Sequence, residues 1–431
     1  MRDVSLWRVL LGVEHTVIEG VDFDAGCDRL VVSVRPDARR RGRCGRCRRP
    51  ARGYDAGRGR RRWRALDLGT VQTWVEADAP RVNCAVHGVV VAHVPWARHA
   101  AGSTHAFEQT VAWLATVTSK SAVTQLMRIA WRTVGAVIGR VWADVEASTD
   151  PLAGLRRIGI DEVSYRRGHL YLTVVVDHDA NRLVWASTGQ SKATLQRFFD
   201  ALRPDRCAQI THVTADSAAY IADAVATNCP NAIQGADPFH VVKWANDALG
   251  EVRLTAWREA RQAARANPAP RGRPPKNAPP RVEQDRVKKL STARYALWKN
   301  PENLTRSQQV KLDWIAATDP RLYRGYQLKE GLRAILKLPL DEATEALDLW
   351  IESARRCRIP QFVALQRTVS AQRKPILISI QHGLSNARTE SINTKIRLRT
   401  RMAFGFKDPQ ALIALIMLSL GGHRPTLPGR T

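Results

Sequence analysis

Residues 157–177 read RIGIDEVSYRRGHLYLTVVVD, and together with the segment that follows them they decide the fold. Ile158–Val163, His169–Asp177 and Arg182–Ser187 are successive strand candidates. Leu170–Val176 is almost wholly apolar or β-branched, as in a strand buried on both faces. Working outward, a helix is expected at Lys192–Leu202, a strand at Gln209–Thr214, a helix at Ala218–Ala226 and a fifth short strand near Ala232–Gln234. Three strands in series followed by alternating helix and strand is the order of an α/β, ribonuclease-H-like sheet. Such an order suits several activities and fixes none.

Three acids stand in settings that suit metal-dependent phosphodiester chemistry. Asp161 and Asp216 each end a short β-branched run, and Glu390 lies on a helix of otherwise positive charge. Residues 384–401 hold Arg388, Lys395, Arg397, Arg399 and Arg401 and no acid besides Glu390. At about 100° per residue, Asn386, Glu390, Asn393 and Arg397 share one stripe, with Ile392 and Ile396 facing the other way. Carboxylates from strand ends and a helix are what two hard divalent cations need to clamp a phosphodiester. Glu162 follows Asp161, and strand alternation lets only one of the two join such a cluster. The pattern leaves open which. Asp216 also reads as an N-cap for the helix after it. Asp237-Pro-Phe-His240 reads as an N-cap with proline at N1, or, through His240 one turn later, as a group that reaches a phosphate or orients a ligand.

The 431 residues include 67 Lys+Arg against 40 Asp+Glu, a formal charge of +27, which implies a polyanionic partner. The longest apolar run, around Ala411–Leu420, falls short of the roughly 20 residues a spanning helix needs, so no membrane role is expected. The first residues lack a signal-peptide core, which points to an intracellular chain. Seven cysteines, odd in number and unevenly spaced, then read as reduced thiols with a metal site.

Cys44-x-x-Cys47 and Cys84-x-x-His87 supply four ligands for one structural Zn²⁺. The 36 residues between them must form their own hairpin, for which Trp63, Leu66, Leu68, Val71 and Trp74 are available. Cys27, Cys207, Cys229 and Cys357 read as buried small hydrophobes. Arg35–Arg64 contains fourteen arginines and only two acids, a solvated loop or, beside a metal site, a phosphate-contacting surface using Arg58, Arg60, Arg61 and Arg62. Residues 105–146 read as three short helices. The second, capped by Thr118 or Ser119, would turn Val123, Leu126, Met127 and Ala130 inward, and the third Val134, Val137, Ile138 and Val141, a pattern compatible with helix-turn-helix. Residues 267–280 are too rich in proline for helix or sheet. Within them Arg271-Gly-Arg-Pro274, with Arg271 and Arg273, reads as a basic linker or as a minor-groove hook.

The order of these motifs carries a resemblance. A zinc-type cysteine cluster and a small helical domain precede Ile-Gly-Ile-Asp-Glu, Val-Thr-Ala-Asp-Ser and Asp-Pro-Phe-His. A late Ser-Asn-Ala-Arg-Thr-Glu-Ser-Ile-Asn is followed by Phe-Gly-Phe. Over nearly its whole length the chain resembles the ISL3 family of bacterial insertion-sequence transposases. The proline- and arginine-rich stretch departs from the family's pattern. The resemblance implies a ribonuclease-H-like DDE domain with a helical insertion, in which Asp161 rather than Glu162, Asp216 and Glu390 are the catalytic acids. Asp237 and His240 match an accessory Asp-x-x-His element. Two Mg²⁺ ions, replaceable by Mn²⁺, are implied, and double-stranded DNA as element ends and target. A dimer or larger assembly on DNA is expected, in the bacterial cytoplasm at the nucleoid.

The expected layout is a zinc module over 1–100, a helix-turn-helix-like domain over 101–150 and a first core segment over 151–250. A helical insertion over 251–375 and a closing core segment over 376–431 complete it. A competing reading is a zinc- and helix-based DNA-binding regulator whose catalytic domain is inert.

Overall fold

The computed structural model describes residues 4–215, 219–266, 282–403 and 405–430. Asp216, Arg271 and Arg273, with the whole 267–280 stretch, lie outside the described residues.

The N-terminal region opens with α1 (Val4–Leu11), followed by β1 (Thr16–Asp24), β2 (Arg29–Pro36), β3 (Arg52–Asp55), β4 (Arg60–Arg64), β5 (Gln72–Asp78), β6 (Arg81–Cys84) and β7 (Gly88–Val91). They form two sheets, ordered β1-β2-β5-β4 and β3-β6-β7. The hairpin expected between the cysteine pairs is β4–β5, paired antiparallel with Trp63 opposite Val75. Trp63 is buried and meets Trp96 edge-on at 5.5 Å, an arrangement the ring quadrupoles favour.

Three helices follow, α2 (His105–Val117), α3 (Lys120–Met127) and α4 (Trp131–Ser148). Thr104 and Ser119 cap α2 and α3 by accepting from the Phe107 and Ala122 amides. Val123, Met127, Val134, Val137, Ile138 and Val141 are buried as expected, but Leu126 is 64% exposed and Ala130 is exposed too. Arg128 takes a left-handed conformation and ends α3 there, so helical spacing stops applying before Ala130.

The central sheet is built from β8 (Arg157–Arg166), β9 (Leu170–Asp177), β10 (Arg182–Thr188), β11 (His212–Ala215) and β12 (Ile233–Ala236), with α5 (Lys192–Leu202), α6 (Pro204–Cys207) and α7 (Ala219–Asn228) between them. Its order is β10-β9-β8-β11-β12. β9 runs antiparallel to both neighbours, and β11 runs parallel to β8 and β12. Alternation sorts the two faces. Ile158, Ile160 and Val175 pack with α5 and α7, whereas Val163, Leu172, Val174 and Val176 join a core on the opposite side.

From β12 the chain enters α8 (Pro238–Ala266), which runs unbroken through the boundary expected at residue 250. Then come α9 (Val282–Thr292), α10 (Arg294–Trp298), α11 (Arg306–Thr318), α12 (Pro320–Ile335), α13 (Leu340–Arg356), α14 (Pro360–Ala371) and α15 (Arg373–His382). These helices share a core of their own that includes Leu249, Leu332, Trp350 and Phe362. α15 returns to the sheet, where Ser379 Oγ donates to the Ala236 carbonyl at 2.6 Å. Glycine at 235 permits this, since a Cβ there would lie 2.4 Å from Ser379 Oγ.

The chain closes with α16 (Ala387–Met402) and α17 (Pro409–Leu420). Apolar α17 packs among α2, α4 and β10, so the three helices expected as a separate unit share one core with the sheet. Among the described residues no helix is long and apolar enough to cross a membrane. Cys207, Cys229 and Cys357 are buried as expected, but Cys27 is exposed, in the turn between β1 and β2.

A buried ion network joins the zinc module's tail to the helices. Glu108 of α2 is fully buried and accepts from Arg98 Nη1 at 2.9 Å, Ser103 Oγ at 3.0 Å and Arg140 Nε at 3.0 Å. Removing one partner of a buried pair strands the others. Glu108→Ala is expected to cost about 3 kcal/mol, the lower end for a broken buried pair, because Arg98 keeps Asp144. Denaturant titration checks this, and a loss below about 1 kcal/mol, the scale of a surface pair, would contradict it.

Candidate active site and zinc centre

The helix α16 lies against β8 because β8 carries glycine at 159. A Cβ there would fall 2.2 Å from Thr389 Oγ1 and 2.8 Å from His178 Nε2. Close approach brings the polar stripe of α16 onto the strand. Asn393 Nδ2 donates to Asp161 Oδ2 at 2.7 Å, and the Glu162 amide donates to Asp161 Oδ1 at 2.7 Å. Asp161 is therefore the member of the Asp-Glu pair that meets α16, and strand alternation sends Glu162 to the other face.

Ile392 and Ile396 are buried in the core beside the stripe rather than turned away from it, while Arg397 is exposed. The expectation of two opposed faces is corrected to two adjacent ones, because α16 packs against β8 and β9 on one side and α17 on another, with Ile392 and Ile396 in the core these elements share.

Glu390 sits in the first turn of α16. Burial first, and the Asp237 carboxylate second, push its pKa above the ordinary glutamate value, while His240, Arg397 and Lys243 pull it down. Asp237 is itself buried and accepts from the amides of Phe239 and Asn386, each at 3.2 Å, and pairs with His240 Nδ1 at 2.9 Å. Asp237 caps α8, and the Asp237–His240 pair stands beside Glu390.

Asn386 adds a second tie. Its Oδ1 accepts from Thr214 Oγ1 at 2.7 Å, and Thr214 is bonded in turn to His178 Nε2 at 2.7 Å. Neither His178 nor Thr214 stood out in the sequence. A histidine following a central strand and a threonine within one carry no spacing signal that links them.

In the N-terminal module the donor atoms of Cys44, Cys47, Cys84 and His87 lie within 4.8 Å of one another. Cys47 Sγ to Cys84 Sγ, Cys44 Sγ to His87 Nδ1 and Cys84 Sγ to His87 Nδ1 are each 3.7 Å. Tetrahedral zinc with Zn–S bonds of about 2.3 Å sets sulfur atoms about 3.75 Å apart, so the donors fit the ion. The amides of Val86 and His87 bring the Cys84 thiol down to about 6, favouring the thiolate that binds metal.

The arginines chosen beside this centre are mostly engaged within the chain. Arg60 and Arg62 both pair with Glu76 across β4–β5, and Arg61 donates to the Ala101 carbonyl at 2.6 Å and lies over the Trp63 ring. Arg58 is exposed in the turn before β4.

Comparison with known proteins identifies the family. A family model described as "Transposase", of the DDE type in ISL3 elements, matches residues 158–416. The "Helix-turn-helix domain of transposase family ISL3" matches 92–142, and the "zinc-finger of transposase IS204/IS1001/IS1096/IS1165" matches 40–87. The chain is 60% identical over 436 aligned residues to the transposase for insertion sequence element IS1557 of Mycobacterium tuberculosis, in strains CDC 1551 and H37Rv, covering 100% of this chain and 98% of the relative. It is 25% identical over 304 residues, 70% of each chain, to the transposase for insertion sequence element IS1001 of Bordetella parapertussis.

The architecture is that of a DNA-cleaving and strand-transferring enzyme with a zinc ribbon and a helix-turn-helix domain. The chain belongs to the ISL3 family of DDE transposases. The inert-regulator reading gives way to this, and DNA is the partner that the charge of +27 anticipates.

Proposed function

We propose that Asp161, Asp216 and Glu390 are the catalytic acids, held in a ribonuclease-H-like fold and working with two Mg²⁺ ions. The reading rests chiefly on the Asn393–Asp161 bond, which ties the Glu390 helix to the first strand across 232 residues of chain. The sheet order and strand directions support the fold assignment. The β8–β11 register reaches Ile160 opposite Ala215, and the residues next in sequence are Asp161 and Asp216.

The donor set fits hard cations. Asp161 accepts from the Asn393 side chain and the Glu162 amide, which orient a carboxylate of the kind hard cations take as a ligand. Burial and the Asp237 carboxylate make charge on Glu390 costly, and a cation relieves that cost. When bound, the ions supply the charge that activates an attacking hydroxyl and stabilises the leaving 3′ oxygen. Asn393 keeps the Asp161 carboxylate turned toward α16, and Asp237 fixes the His240 ring. Arg397 and Lys243, both exposed near Glu390, are placed to meet the phosphate. A water cuts at the element end, and the 3′-OH so freed attacks target DNA in its place. No covalent bond to protein is required. Two ends must meet, so the working form is a dimer or larger, acting at the nucleoid in the bacterial cytoplasm.

Replacing the leaving 3′ oxygen by sulfur at the scissile bond tests the assignment. Cleavage is expected to fail in Mg²⁺ and return in Mn²⁺, which accepts sulfur more readily. Equal slowing in both ions, or a trapped phosphoserine or phosphotyrosine adduct, would refute it.

A further inference from the structure

We infer that His178, acting through Thr214 and Asn386, is a positioning residue that sets the spacing of the elements carrying the acids. The assignment rests on the reading of Asp161 and Glu390 as metal ligands.

His178 follows β9 directly and is buried. Gly159, over which its ring sits, is two residues before Asp161, and Thr389, over the same glycine, is one before Glu390. Thr214, which its Nε2 contacts, pairs with Gly159 in the β8–β11 register and is two residues before Asp216. One imidazole thus stands where β8, β11 and α16 meet, against residues one or two positions before each acid in sequence.

The hydrogen bonds have only one consistent direction. Thr214 has a single hydroxyl proton and gives it to Asn386 Oδ1, so His178 must donate Nε2–H to Thr214 Oγ1. Burial brings His178 down to about 4, with Arg388 and Arg157 adding to the shift and Asp177 and Asp179 opposing it, so the ring is neutral at physiological pH. Arg388, also on α16, donates to the His178 carbonyl. The Asn386 backbone N–H donates in turn to Asp237. An apolar side chain would fill the same space with less desolvation cost. A buried, directional chain instead fixes one register of helix on sheet.

The test uses the full-length protein with Thr214→Val, which keeps shape and removes the hydroxyl, and Thr214→Ser, which restores it. Glu390→Gln serves as reference. Cleavage kcat and KM are read separately, with Mn²⁺ binding to the protein–DNA complex followed by electron paramagnetic resonance. Thr214→Val is expected to lower kcat and Mn²⁺ affinity each by about 10–100-fold with KM for DNA little changed, and Thr214→Ser to recover most of both. A Thr214→Val protein with wild-type kcat and Mn²⁺ binding would overturn the inference. Should Thr214→Val fail to fold, His178→Gln, which keeps a donor, and His178→Leu, which does not, carry the same comparison. Cleavage surviving in Glu390→Gln would defeat the reading of the acids, whereas its loss there beside a normal Thr214→Val would defeat the positioning role alone.

Discussion

Replacing Glu390 by glutamine is expected to reduce metal-dependent end cleavage by about a thousandfold or more while leaving DNA affinity nearly unchanged. The substitution keeps size and hydrogen-bonding capacity but removes the charge. Charge stabilisation of several kcal/mol at a metal site corresponds to about three decades in rate. DNA affinity comes from many phosphate contacts spread over a chain of net charge +27, and one half-buried acid contributes little to it.

The same residue has a pH signature. Its folded pKa is raised, chiefly by burial, so its contribution to stability is present below the ordinary glutamate value and is lost as pH rises through the raised one. A divalent cation competes with that proton. The Mg²⁺ concentration for half-maximal cleavage is therefore expected to fall as pH rises through the raised value, and a metal requirement independent of pH would contradict this origin.

The second large effect concerns zinc. Stripping the metal, or replacing Cys84 by serine, is expected to unfold the ribbon between Cys44 and His87, because apparent binding energies at such sites are about 10–16 kcal/mol. The core around Trp63, Val75 and Trp96 takes none of its buried members from β3, β6 or β7, so the small sheet that carries Cys84 has little apolar packing to hold the cysteine loop without its ion. Specific binding to element ends should fall while the central sheet, whose cores are separate, keeps its melting transition. Metal analysis checks the premise. One zinc per chain is expected, and less than about half an equivalent would rule out a four-ligand site.

Much of the central sheet is legible in sequence because its strands are apolar on both faces and bounded by turn residues. Lys192–Leu202 is legible to the residue, since Ser191 supplies the cap. Glu390 draws notice in the sequence because acid is rare on so basic a helix. The cluster of Cys44, Cys47, Cys84 and His87 follows from spacing alone. What escapes notice depends on partners distant in sequence. Arg60 and Arg62 look like free cations until the β4–β5 register sets Glu76 opposite Arg62. The union of α2–α4 with the sheet depends on where α17 docks, which apolarity announces without giving an address. The role of His178 rests on three elements meeting at one glycine, and no linear pattern encodes that meeting.

The most direct test is end cleavage and joining by the purified protein with Mg²⁺, a labelled duplex taken from the DNA flanking its gene, and a target plasmid. The account predicts metal-dependent release of a 3′-OH at the element end, followed by its covalent joining to target DNA, with both products absent in Asp161→Asn and Glu390→Gln. Salt-sensitive binding with no cleavage in Mg²⁺ or Mn²⁺, or products that survive both substitutions, would contradict it.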